Sequence, residues 1–567
     1  MSDAGSSSIT VPEGFTLHTE NTSHILISSK EEAFLNPVQE FNRDLSVACI
    51  RVWSEELNRE KEAKWRQAQE RRAKREAEAE AKTGQRKEQK KAKTESAEPS
   101  NGQEDDSPGD VPTTGSTSES NKRDYRPHKF VLLEALSATG LRSIRYAKEI
   151  PLVRFVIAND LSASATAAMK RNVELNGLGP SPDPAESAST SEHQPIPDRG
   201  KVRINEGDAC ALMYNHRTEK TRVDVVDLDP YGTAAPFIDG AVQCINDGGL
   251  LCVTCTDLSV LATTNYPEKC FSNYGGIPVK AEYCHEAALR LVLNTLSTSA
   301  GRYGRYIEPI LSLSIDFYVR LFAASKTAMY YICQGCQSFY EQPLGRMVEK
   351  THERSGNVNI LFKTHAGPPV PQKCTECGSA LHVAGPMWSG PLHNNGFISK
   401  VLEHLEGNQD KYGTAVRMKG MLTVANEELH VPFYFTPSRI AGLFHSVCPP
   451  LDEVASALLN AGHHVSRSHA LPGSLKTGAT RQDVHDIFRS WVKKHPVRMD
   501  KVSETSLARQ LLAKEARAEA NFTRHPRSVT QASKVKLVRY QQNPTPNWGP
   551  GTKADSGTKR KRETEDE

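Results

Sequence analysis

The chain has 567 residues, of which 37% are hydrophobic and 25% are charged, and its formal net charge is +3 at pH 7. A mean hydropathy of −0.54, without any run of about 18 apolar residues, excludes a membrane-spanning protein. Twelve cysteines are too few for a disulfide scaffold. Residues 1–29 contain acids but no Lys or Arg, unlike a secretory signal or a mitochondrial presequence. We therefore expect reduced cysteines in the cytosol or nucleus.

The N-terminal part combines a helical pattern with a charged insertion. Apolar residues recur at near-helical spacing over residues 31–52. Residues 51–95 hold 15 Lys or Arg against 10 Asp or Glu in an Ala-rich pattern that favours a helix. Residues 96–124 are rich in Ser, Thr, Gly, Pro and Asp and are predicted to be disordered. We interpret 53–124 as a solvated surface insertion, with a basic arm that contacts RNA phosphates as the alternative.

Between residues 129 and 257 the pattern alternates between strands and helices. The strands carry near-continuous apolar runs, as in parallel sheets that are covered on both faces. This alternation predicts βαβ units and a parallel α/β sheet, interrupted by a Pro- and Ser-rich insertion over 179–200. The predicted strands are 129–136, 153–160, 202–209, 223–230 and 248–257, and the first two helices are 137–150 and 162–176.

Four of these strands end in, or just before, an acidic residue. Ligands of open α/β sheets bind at the carboxyl ends of the strands. One acid there would be unremarkable, but four in succession predict a ligand-binding rim. The four acids are Glu134, Asp160, Asp208 and Asp229.

The loop 137–140 and Asp160 together indicate the kind of ligand. Asp160 lies 20 residues after Gly140, a spacing typical of a tight loop and a carboxylate that accepts hydrogen bonds from ribose hydroxyls. The loop has one glycine where a dinucleotide-binding loop has three, so a close approach to pyrophosphate is not expected. A ligand with a ribose and no phosphate, such as S-adenosylmethionine, fits better. A loop of this kind also occurs without a ligand, so the pattern alone leaves both interpretations open.

The stretch Asp229-Pro-Tyr-Gly after the fourth strand is a sharper signal. Proline and glycine shape a stiff turn, which places a carboxylate beside the aromatic ring of Tyr231. Methyl transfer to an exocyclic amine needs such a pair, because the carboxylate accepts the amine hydrogen while the ring stacks on the base. The competing interpretation is an ordinary β-turn.

Several separated stretches of the chain together match the motifs of one protein family. They are FLNPVQEFNRD (34–44), LEALSATGLRSIRYA (133–147), GDA (207–209), DLDPYGT (227–233), LCVTCTDLSVL (251–261) and NYGG (273–276), together with Asp160. In this order they resemble the tRNA (guanine-26-N2)-dimethyltransferase family, most closely its eukaryotic form. The resemblance implies a class I methyltransferase (Rossmann-like) domain, followed by a C-terminal α/β domain with a four-cysteine, zinc-ribbon-like segment. The implied reaction transfers one or two methyl groups from S-adenosylmethionine to N2 of guanine 26 in tRNA.

The resemblance also implies roles for single residues. Asp229 would be the catalytic carboxylate, and Tyr231 and Phe34 would be the aromatic walls of the guanine pocket. Family members often have Phe where this chain has Tyr231, and either ring can stack. Arg145 remains an alternative to Arg142 in the cofactor pocket. The implied cofactor-binding residues are Arg43, Arg142, Asp160, Asp208, Ala209 and Pro230.

The family match divides the chain into five segments and leaves two other functions open. One alternative is a tRNA-binding folding factor, and the other is a class I aminomethyltransferase that acts on another RNA. The expected segments are 1–30, the methyltransferase domain 31–327 with insertions at 56–124 and 179–200, a zinc-binding segment 328–394, a tRNA-binding domain 395–500, and a helix with a basic tail over 501–567.

Four cysteines form a pattern of two knuckles. Cys333 and Cys336, and then Cys374 and Cys377, each enclose two residues, which is the spacing of a tetrahedral zinc site. All four ligands would come from the protein, so the ion would be structural. The gap of 37 residues between the knuckles is long but costs little loop entropy. A third such pair, Cys252 and Cys255, lies in a predicted strand and is expected in the core.

The C-terminal region offers basic residues for tRNA. The apolar positions of helix 481–494 are expected to be core. We expect tRNA as partner, no obligate protein partner, and a nuclear location from the basic run 559–562, with mitochondrion or cytoplasm as alternatives. A helix is predicted over 503–522. The candidates for phosphate contact are Lys476, Arg481, Lys493 and Lys494.

Overall fold

The computed structural model describes most of the chain. The described residues are 9–28, 35–36, 39–94, 124–180, 199–315, 318–321, 327–351, 358–367 and 370–534. They divide into two compact units, of which one comprises residues 1–52 and 130–567 and the other Trp53–Lys129. Within the described residues, no helix has both the length and the apolar character needed to cross a membrane.

A β-hairpin that the sequence did not predict begins the described chain. Strands β1 (Phe15–Glu20) and β2 (Ser23–Ser28) pair antiparallel, and helix α1 (Glu40–Thr94) follows. The backbone N–H of Leu26 donates to Asn172 Oδ1 at 2.9 Å, which ties the hairpin to the α/β core.

The unit Trp53–Lys129 contains the charged part of α1, and this part is helical, as its composition predicts. Asn58 Nδ2 donates to the carbonyl of His128 at 3.1 Å, and Tyr125 Oη donates to Asn58 Oδ1 at 3.1 Å. The returning chain is therefore held against the helix. The predicted disorder over 96–124 falls almost wholly outside the described residues.

Seven strands form the central sheet, and the first five are parallel. In chain order they are β3 (Phe130–Glu134), β4 (Val153–Asp160), β5 (Val202–Glu206), β6 (Val223–Leu228), β7 (Ile245–Cys255), β8 (Leu313–Ile315) and β9 (Tyr318–Leu321). Their spatial order is β5-β4-β3-β6-β7-β9-β8, and β9 runs antiparallel to both of its neighbours, β7 and β8. The strand order reverses between β3 and β6, which is where open α/β sheets bind ligands. The predicted Rossmann-like α/β fold is confirmed.

The helices of this sheet connect its strands as crossovers. Those that lie between parallel strands complete βαβ units. In chain order they are α2 (Leu141–Glu149), α3 (Ala163–Leu175), α4 (Ala209–Asn215), α5 (Ala235–Cys244), α6 (Leu258–Leu261), α7 (Pro267–Tyr274) and α8 (Cys284–Arg302). Leu133, Val226 and Val253 are fully buried at the centre of this core. Cys252 and Cys255 lie in β7 and are also fully buried, as predicted.

The cysteine-bearing segment is built from antiparallel strands. Strands β10 (Thr327–Cys333), β11 (Phe339–Pro343) and β14 (Leu381–Trp388) form a sheet in the order β11-β10-β14. Strands β12 (Gly345–Thr351) and β13 (Val358–Thr364) form a separate hairpin, which accounts for the long gap between the two knuckles.

The remaining described chain is mostly helical. A second apolar core there packs around the four cysteines. Its elements are α9 (Asn395–Glu406), α10 (Ala415–Glu427), α11 (Pro437–Leu443), α12 (Leu451–Asn460), β15 (Val465–Arg467), β16 (Leu475–Thr477), α13 (Arg481–Lys494), α14 (Leu507–Leu512) and α15 (Gln531–Lys534).

The helix predicted over 503–522 is wrong in its extent, because only Leu507–Leu512 is helical. Arg517, beyond the end of α14, pairs with Asp483 at 2.6 Å and with Asp486 at 2.7 Å. These ion pairs draw the chain onto α13, so tertiary contacts outweigh the helical propensity of an Ala-rich segment.

Candidate functional site

The four predicted acids lie at the carboxyl ends of four neighbouring strands. Glu134 and Asp160 are the last residues of β3 and β4, Asp208 follows β5, and Asp229 follows β6. Since the spatial order is β5-β4-β3-β6, these strands form one continuous edge. The sequence prediction of an acidic rim at this edge is confirmed as a matter of position.

Asp160 holds the loop that precedes α2. Its Oδ2 accepts a hydrogen bond from the backbone N–H of Ala138, and its Oδ1 accepts one from Ser162, both at 2.9 Å. Gly140 has a φ of 79°, and a Cβ at that position would lie 2.7 Å from Met169 Cγ. Glycine is therefore required where the loop enters the helix. The Asp160 carboxylate remains partly exposed at the edge of the sheet.

Asp208 forms the N-cap of α4. Its Oδ1 accepts a hydrogen bond from the backbone N–H of Ala211 at 2.7 Å. Ala209, the first residue of the helix, is 5% exposed. The cap fixes the start of α4 beside the strand edge.

Arg142 reaches across the edge to the acid after β6. Its Nη2 donates to Asp229 Oδ2, and its Nη1 lies 3.4 Å from Asp227 Oδ2 and 3.1 Å from Ser46 Oγ. Its Nε lies 3.6 Å from Glu134 Oε1. The Arg142 side chain is 6% exposed and the Asp229 side chain 11%.

Glu134 is buried next to this arginine. Burial is the largest influence on its carboxyl group and raises the pKa to about 8, although Arg142 lowers it. The charge of Asp227 raises the pKa further. Glu134 is therefore largely protonated near neutral pH.

Arg43 and Arg145 bind acids away from Asp229. Arg43 Nε donates to Glu20 Oε2 at 2.8 Å. Arg145 pairs with Glu20 at 3.1 Å, with Asp44 at 2.7 Å and with Glu149 at 2.8 Å. Burial acts to raise the pKa of Glu20, but hydrogen bonds from His18 and Arg43 and the charges of both arginines hold it well below its usual range. Arg142, rather than Arg145, is therefore the arginine that lies beside Asp229.

The Asp-Pro-Tyr-Gly stretch forms a braced turn with an outward ring. Gly232 has a φ of 96°, and its N–H donates to Thr256 Oγ1 at 2.7 Å. Tyr231 is 75% exposed. Partial desolvation and then the Asp229 carboxylate raise the pKa of Tyr231, Arg43 lowers it, and Asp160 raises it again. The charges of Asp229, Arg43 and Asp160 therefore all act on this phenol.

Pro230 is buried beneath the turn. Phe34, the predicted second aromatic wall, lies outside the described residues.

The four knuckle cysteines converge on one point. Cys333 Sγ lies 3.3 Å from Cys377 Sγ, and Cys336 Sγ lies 3.6 Å from Cys374 Sγ. All four sulfurs lie within 4.8 Å of one another. Sulfurs of a tetrahedral zinc site are about 3.8 Å apart, because each Zn–S bond is about 2.3 Å. The donor set and its spacing therefore fit a zinc ion.

The two knuckles repeat the same backbone hydrogen bonds. The N–H of Gln337 donates to the carbonyl of Cys333 at 3.2 Å, and that of Gly378 donates to Cys374 at 2.9 Å. Gln337 has a φ of 57° and Gly378 one of 69°. This shared turn aims both sulfurs of each knuckle at one point, as the spacing predicts.

A family model described as N2,N2-dimethylguanosine tRNA methyltransferase matches residues 5–489. The chain belongs to this family. The match covers the acidic edge of the sheet, the braced turn and the four knuckle cysteines, and it confirms the family that the sequence motifs resemble.

Members of the dimethylguanosine methyltransferase family from several eukaryotes are similar over most of their length. A tRNA (guanine(26)-N(2))-dimethyltransferase from Schizosaccharomyces pombe is 42% identical over 549 residues, which cover 94% of this chain and 92% of the relative. The enzyme of that name from Mus musculus is 39% identical over 95% of this chain and 77% of the relative. A Saccharomyces cerevisiae relative, whose name adds "mitochondrial", is 39% identical over 95% of this chain and 92% of its own.

A solved structure shares the fold of this family member. It is Trm1 from Pyrococcus horikoshii in complex with S-adenosyl-L-methionine, and it covers 83% of this chain and 98% of its own. The TM-score is 0.55 at 22% sequence identity, so the likeness concerns the fold.

Several residues that shape this methyltransferase edge were missed by sequence reasoning. Asp227 is fully buried and accepts a hydrogen bond from Tyr146 Oη. Tyr274 Oη donates to Asp257 at 2.8 Å and lies 2.6 Å from Thr233 Oγ1. Their position in the sequence could have identified two of them, because Asp227 and Asp257 also stand near the carboxyl ends of predicted strands.

Lys476 is a correction to the expected phosphate contacts. It is 1% exposed, and its Nζ lies 3.1 Å from Glu286 Oε1 and 2.9 Å from Glu428 Oε1. Two buried carboxylates draw it inward, so it cannot reach a tRNA backbone. Among the other candidates, the Lys493 side chain is 56% exposed and Lys494 lies over the ring of Phe522. Arg481 is only partly exposed.

His393, Glu428 and His469 form a second buried group of possible metal ligands. His469 Nδ1 lies 2.6 Å from Glu428 Oε2, and the N–H of Ser314 donates to His469 Nε2 at 3.1 Å. Lys476 already balances the charge of Glu428. His393 Nε2 lies 3.7 Å from Glu428 Oε2 and makes no hydrogen bond among the described residues. A divalent cation at this group would face the buried ammonium of Lys476.

Proposed function

We propose that this chain transfers one or two methyl groups from S-adenosylmethionine to the exocyclic N2 amine of guanine 26 in tRNA. The observation that carries the proposal is the family match over residues 5–489. Support comes from the relatives that bear this activity in their names over nearly the whole chain.

The strand edge supports a cofactor site of the predicted kind. Asp160 presents a carboxylate at the edge, where it can accept hydrogen bonds from ribose hydroxyls. Asp208 and Ala209 lie one strand further along and suit the adenine end. Arg43 and Pro230 complete the proposed lining. S-adenosylmethionine, when bound, supplies an electrophilic methyl group on a positively charged sulfur.

Asp229 is the proposed acceptor of the amine hydrogen. The N2 lone pair of guanine is delocalised into the ring, so the amine is a weak nucleophile. A carboxylate that accepts its N–H hydrogen bond, and then its proton, returns electron density to the nitrogen. Arg142 occupies Asp229 Oδ2, and among the described residues no hydrogen bond is made to Oδ1. The second oxygen is thus available to the amine.

Tyr231 is the proposed stacking surface for the target base. A guanine inside the tRNA stack must be turned out to reach the edge, which costs a few kcal/mol. Stacking on an aromatic ring returns about 1–3 kcal/mol of this. The exposed ring beside Asp229 suits that task. Phe34 is proposed as the opposite wall on the family resemblance alone.

We propose a structural zinc ion for the four cysteines and a nuclear location for the protein. The knuckle geometry supports zinc, since all four ligands are supplied by the chain and no position is left open for catalysis. The nuclear proposal rests on the basic run 559–562, which lies outside the described residues. Loss of nuclear accumulation on deleting 557–567 would support it, and unchanged accumulation would contradict it.

The decisive experiment is mass spectrometry of nucleosides from unmodified tRNA incubated with the enzyme and S-adenosylmethionine. N2-methylguanosine and N2,N2-dimethylguanosine at position 26 are the expected products. The variant Asp229→Ala should lose at least about 100-fold in rate. Methylation of another base or atom would contradict the proposal, and near-normal transfer by Asp229→Ala would contradict the assignment of the carboxylate.

A further inference from the structure

We infer that one face of helix α1 binds phosphates of the substrate tRNA. This face, which we call the basic stripe, is formed by Lys61, Lys64, Arg71 and Arg75. The inference rests on the proposed tRNA substrate and adds a contact surface that the methyl-transfer chemistry does not use. It concerns the charged insertion, whose composition alone allows either a solvated helix or an RNA-binding arm.

The part of α1 that carries the basic stripe is open to solvent. Every residue from 66 to 75 is exposed, Lys64 is exposed as well, and Lys61 is partly buried. Between residues 59 and 75 the apolar residues are three alanines and Trp65. Such a segment has no broad apolar face for packing to cover, so its charged groups are accessible to a partner.

The charges of this segment are distributed unevenly around the helix. At about 3.6 residues per turn, the four residues of the basic stripe lie within about 80° of the circumference and extend over about 21 Å of helix length. Position 68 falls on the same face and is Ala. Of the five acids between 53 and 75, Glu60 borders the stripe and the other four project elsewhere. Those four are Glu55, Glu56, Glu62 and Glu70.

On the other side of the helix, basic side chains are neutralised within the helix itself. Arg59 pairs with Glu56, and Arg66 pairs with Glu62 at 2.6 Å. Within the part of the chain that the structure describes, the residues of the basic stripe form no ion pair. The positive charge of the stripe is therefore not balanced by the helix that carries it.

The returning segment 124–129 runs along one border of the basic stripe. The ring of Tyr125 lies 6.0 Å from that of Trp65, and the N–H of His128 donates to Asn58 Oδ1 at 2.6 Å. Asn58 and Trp65 are one turn before and one turn after Lys61, so the segment lies beside the start of the stripe. Its exposed charged residues are the bases Arg126 and Lys129 and the acid Asp124.

Phosphate groups match the chemistry of the basic stripe. A guanidinium can bind a phosphate through two parallel hydrogen bonds, and an ammonium binds it as a point charge. The RNA backbone presents such groups at regular intervals, so a positive face of this length can meet several of them. Phosphate contacts give affinity and orientation rather than base choice. The stripe thus holds the tRNA body, while guanine is selected where the methyl group is transferred.

The test is the triple variant Lys64→Gln, Arg71→Gln and Arg75→Gln in the full-length chain. Glutamine keeps the helical propensity of these exposed positions, so the fold is expected to be retained. Binding of an unmodified tRNA transcript is measured at several KCl concentrations. We expect the Kd for tRNA to rise about tenfold or more, and the dependence of log Kd on the logarithm of the salt concentration to fall by about 2–3 in slope. The calorimetric Kd for S-adenosylmethionine should stay within about twofold.

The matched control is the triple variant Arg59→Gln, Arg66→Gln and Lys74→Gln. It removes the same charge from the same helix on the other side, where the side chains of Arg59 and Arg66 are 66% and 69% exposed. We expect its Kd for tRNA to stay within about threefold of the wild type, because two of its three bases are already paired with acids.

Three results separate the possibilities. An equal loss of tRNA affinity in both triple variants would overturn the inference, because net charge rather than one face would then be responsible. Unchanged tRNA binding by the stripe variant would overturn it in favour of another occupant, such as an acidic protein. A wild-type enzyme that binds tRNA through the stripe but leaves guanine 26 unmethylated would overturn the proposed function and leave this inference standing.

Discussion

Arg142 on helix α2 pairs with Asp229 after strand β6, across the point where the strand order of the sheet reverses. The pair joins two βαβ halves of the sheet at the edge where ligands of such folds bind. Because Arg142 also contacts buried Asp227, the edge carboxylate is connected to the core.

Asp160→Asn is predicted to weaken cofactor binding about tenfold or more. The amide keeps the shape of the carboxylate, but its nitrogen cannot accept a hydrogen bond from a backbone N–H or a ribose hydroxyl. A hydrogen bond to a charged group is worth about 1.5–3 kcal/mol. Calorimetric titration with S-adenosylmethionine measures the effect. Asp247→Asn is the control, because this 89% exposed acid lies at the opposite end of the sheet on β7. Equal Kd values for the two variants would contradict the assignment of Asp160.

Glu134→Gln is predicted to change the pH dependence of stability. Burial raises the folded-state pKa of Glu134 from 4.5 to about 8, so the folded protein binds one more proton than the unfolded chain between these values. The contribution of Glu134 to the free energy of unfolding is therefore fully present below about pH 4.5 and is lost as the pH rises to about 8, at up to about 1.4 kcal/mol per pH unit.

Urea denaturation of the wild type and Glu134→Gln at pH 5.0, 6.5 and 8.0 tests this prediction. Since the amide does not ionise, the variant should gain stability relative to the wild type as the pH rises. Arg142 and Asp227 face Glu134 and are present in both proteins. A difference in unfolding free energy that is constant over the three pH values would contradict the raised pKa.

Cys374→Ser is predicted to release the metal and destabilise the C-terminal region. Wild-type protein should contain roughly one zinc per chain, since four thiolates form one closed tetrahedral site. Binding of a structural ion contributes directly to folding, so its loss should lower the thermal midpoint by several degrees. Elemental analysis and thermal denaturation measure both effects. Cys448→Ser is the control, because Cys448 is exposed and lies outside the four-cysteine group. Zinc-free wild-type protein of unchanged stability would contradict the assignment.

Lys476→Met is predicted to destabilise the protein by about 3–5 kcal/mol, because it leaves Glu286 and Glu428 buried without their shared cation. Chemical denaturation gives the free energy. Lys419→Met removes a lysine from an exposed pair with Glu406, in which the two side chains are 40% and 59% exposed. That change should cost less than about 1 kcal/mol. A similar loss for both variants would show that the buried cluster is not the source of stability.

Local pattern was sufficient to predict the parallel half of the fold. The strand predicted over 153–160 is observed at Val153–Asp160, because its apolar run and flanking turns describe a buried parallel strand by themselves. The hairpin over 15–28 was missed since its strands are short and contain several polar residues. Its order comes from contacts with α3, which a local pattern does not contain.

Predicting the partners of charged residues required the folded structure. Arg142 and Arg145 are three residues apart on α2, yet one contacts Asp229 and the other contacts Glu20 and Asp44. The acids that decide this are far apart in sequence. Lys476 shows the same limit, because its partner Glu286 lies 190 residues earlier in the chain. The sequence motifs were sufficient to locate the acidic edge. The ion-pair partners of the basic residues around it could be read only from the folded structure.

Glu20 ends strand β1, and Arg43 of α1 and Arg145 of α2 converge on its carboxylate. The hairpin thus braces helices α1 and α2 through Glu20. A shortened protein that starts after Ser28 would leave two buried guanidinium groups without this counterion. Truncated forms and transcript variants should therefore be checked for the presence of this hairpin. The sequence motifs alone would not replace the counterion that Glu20 provides.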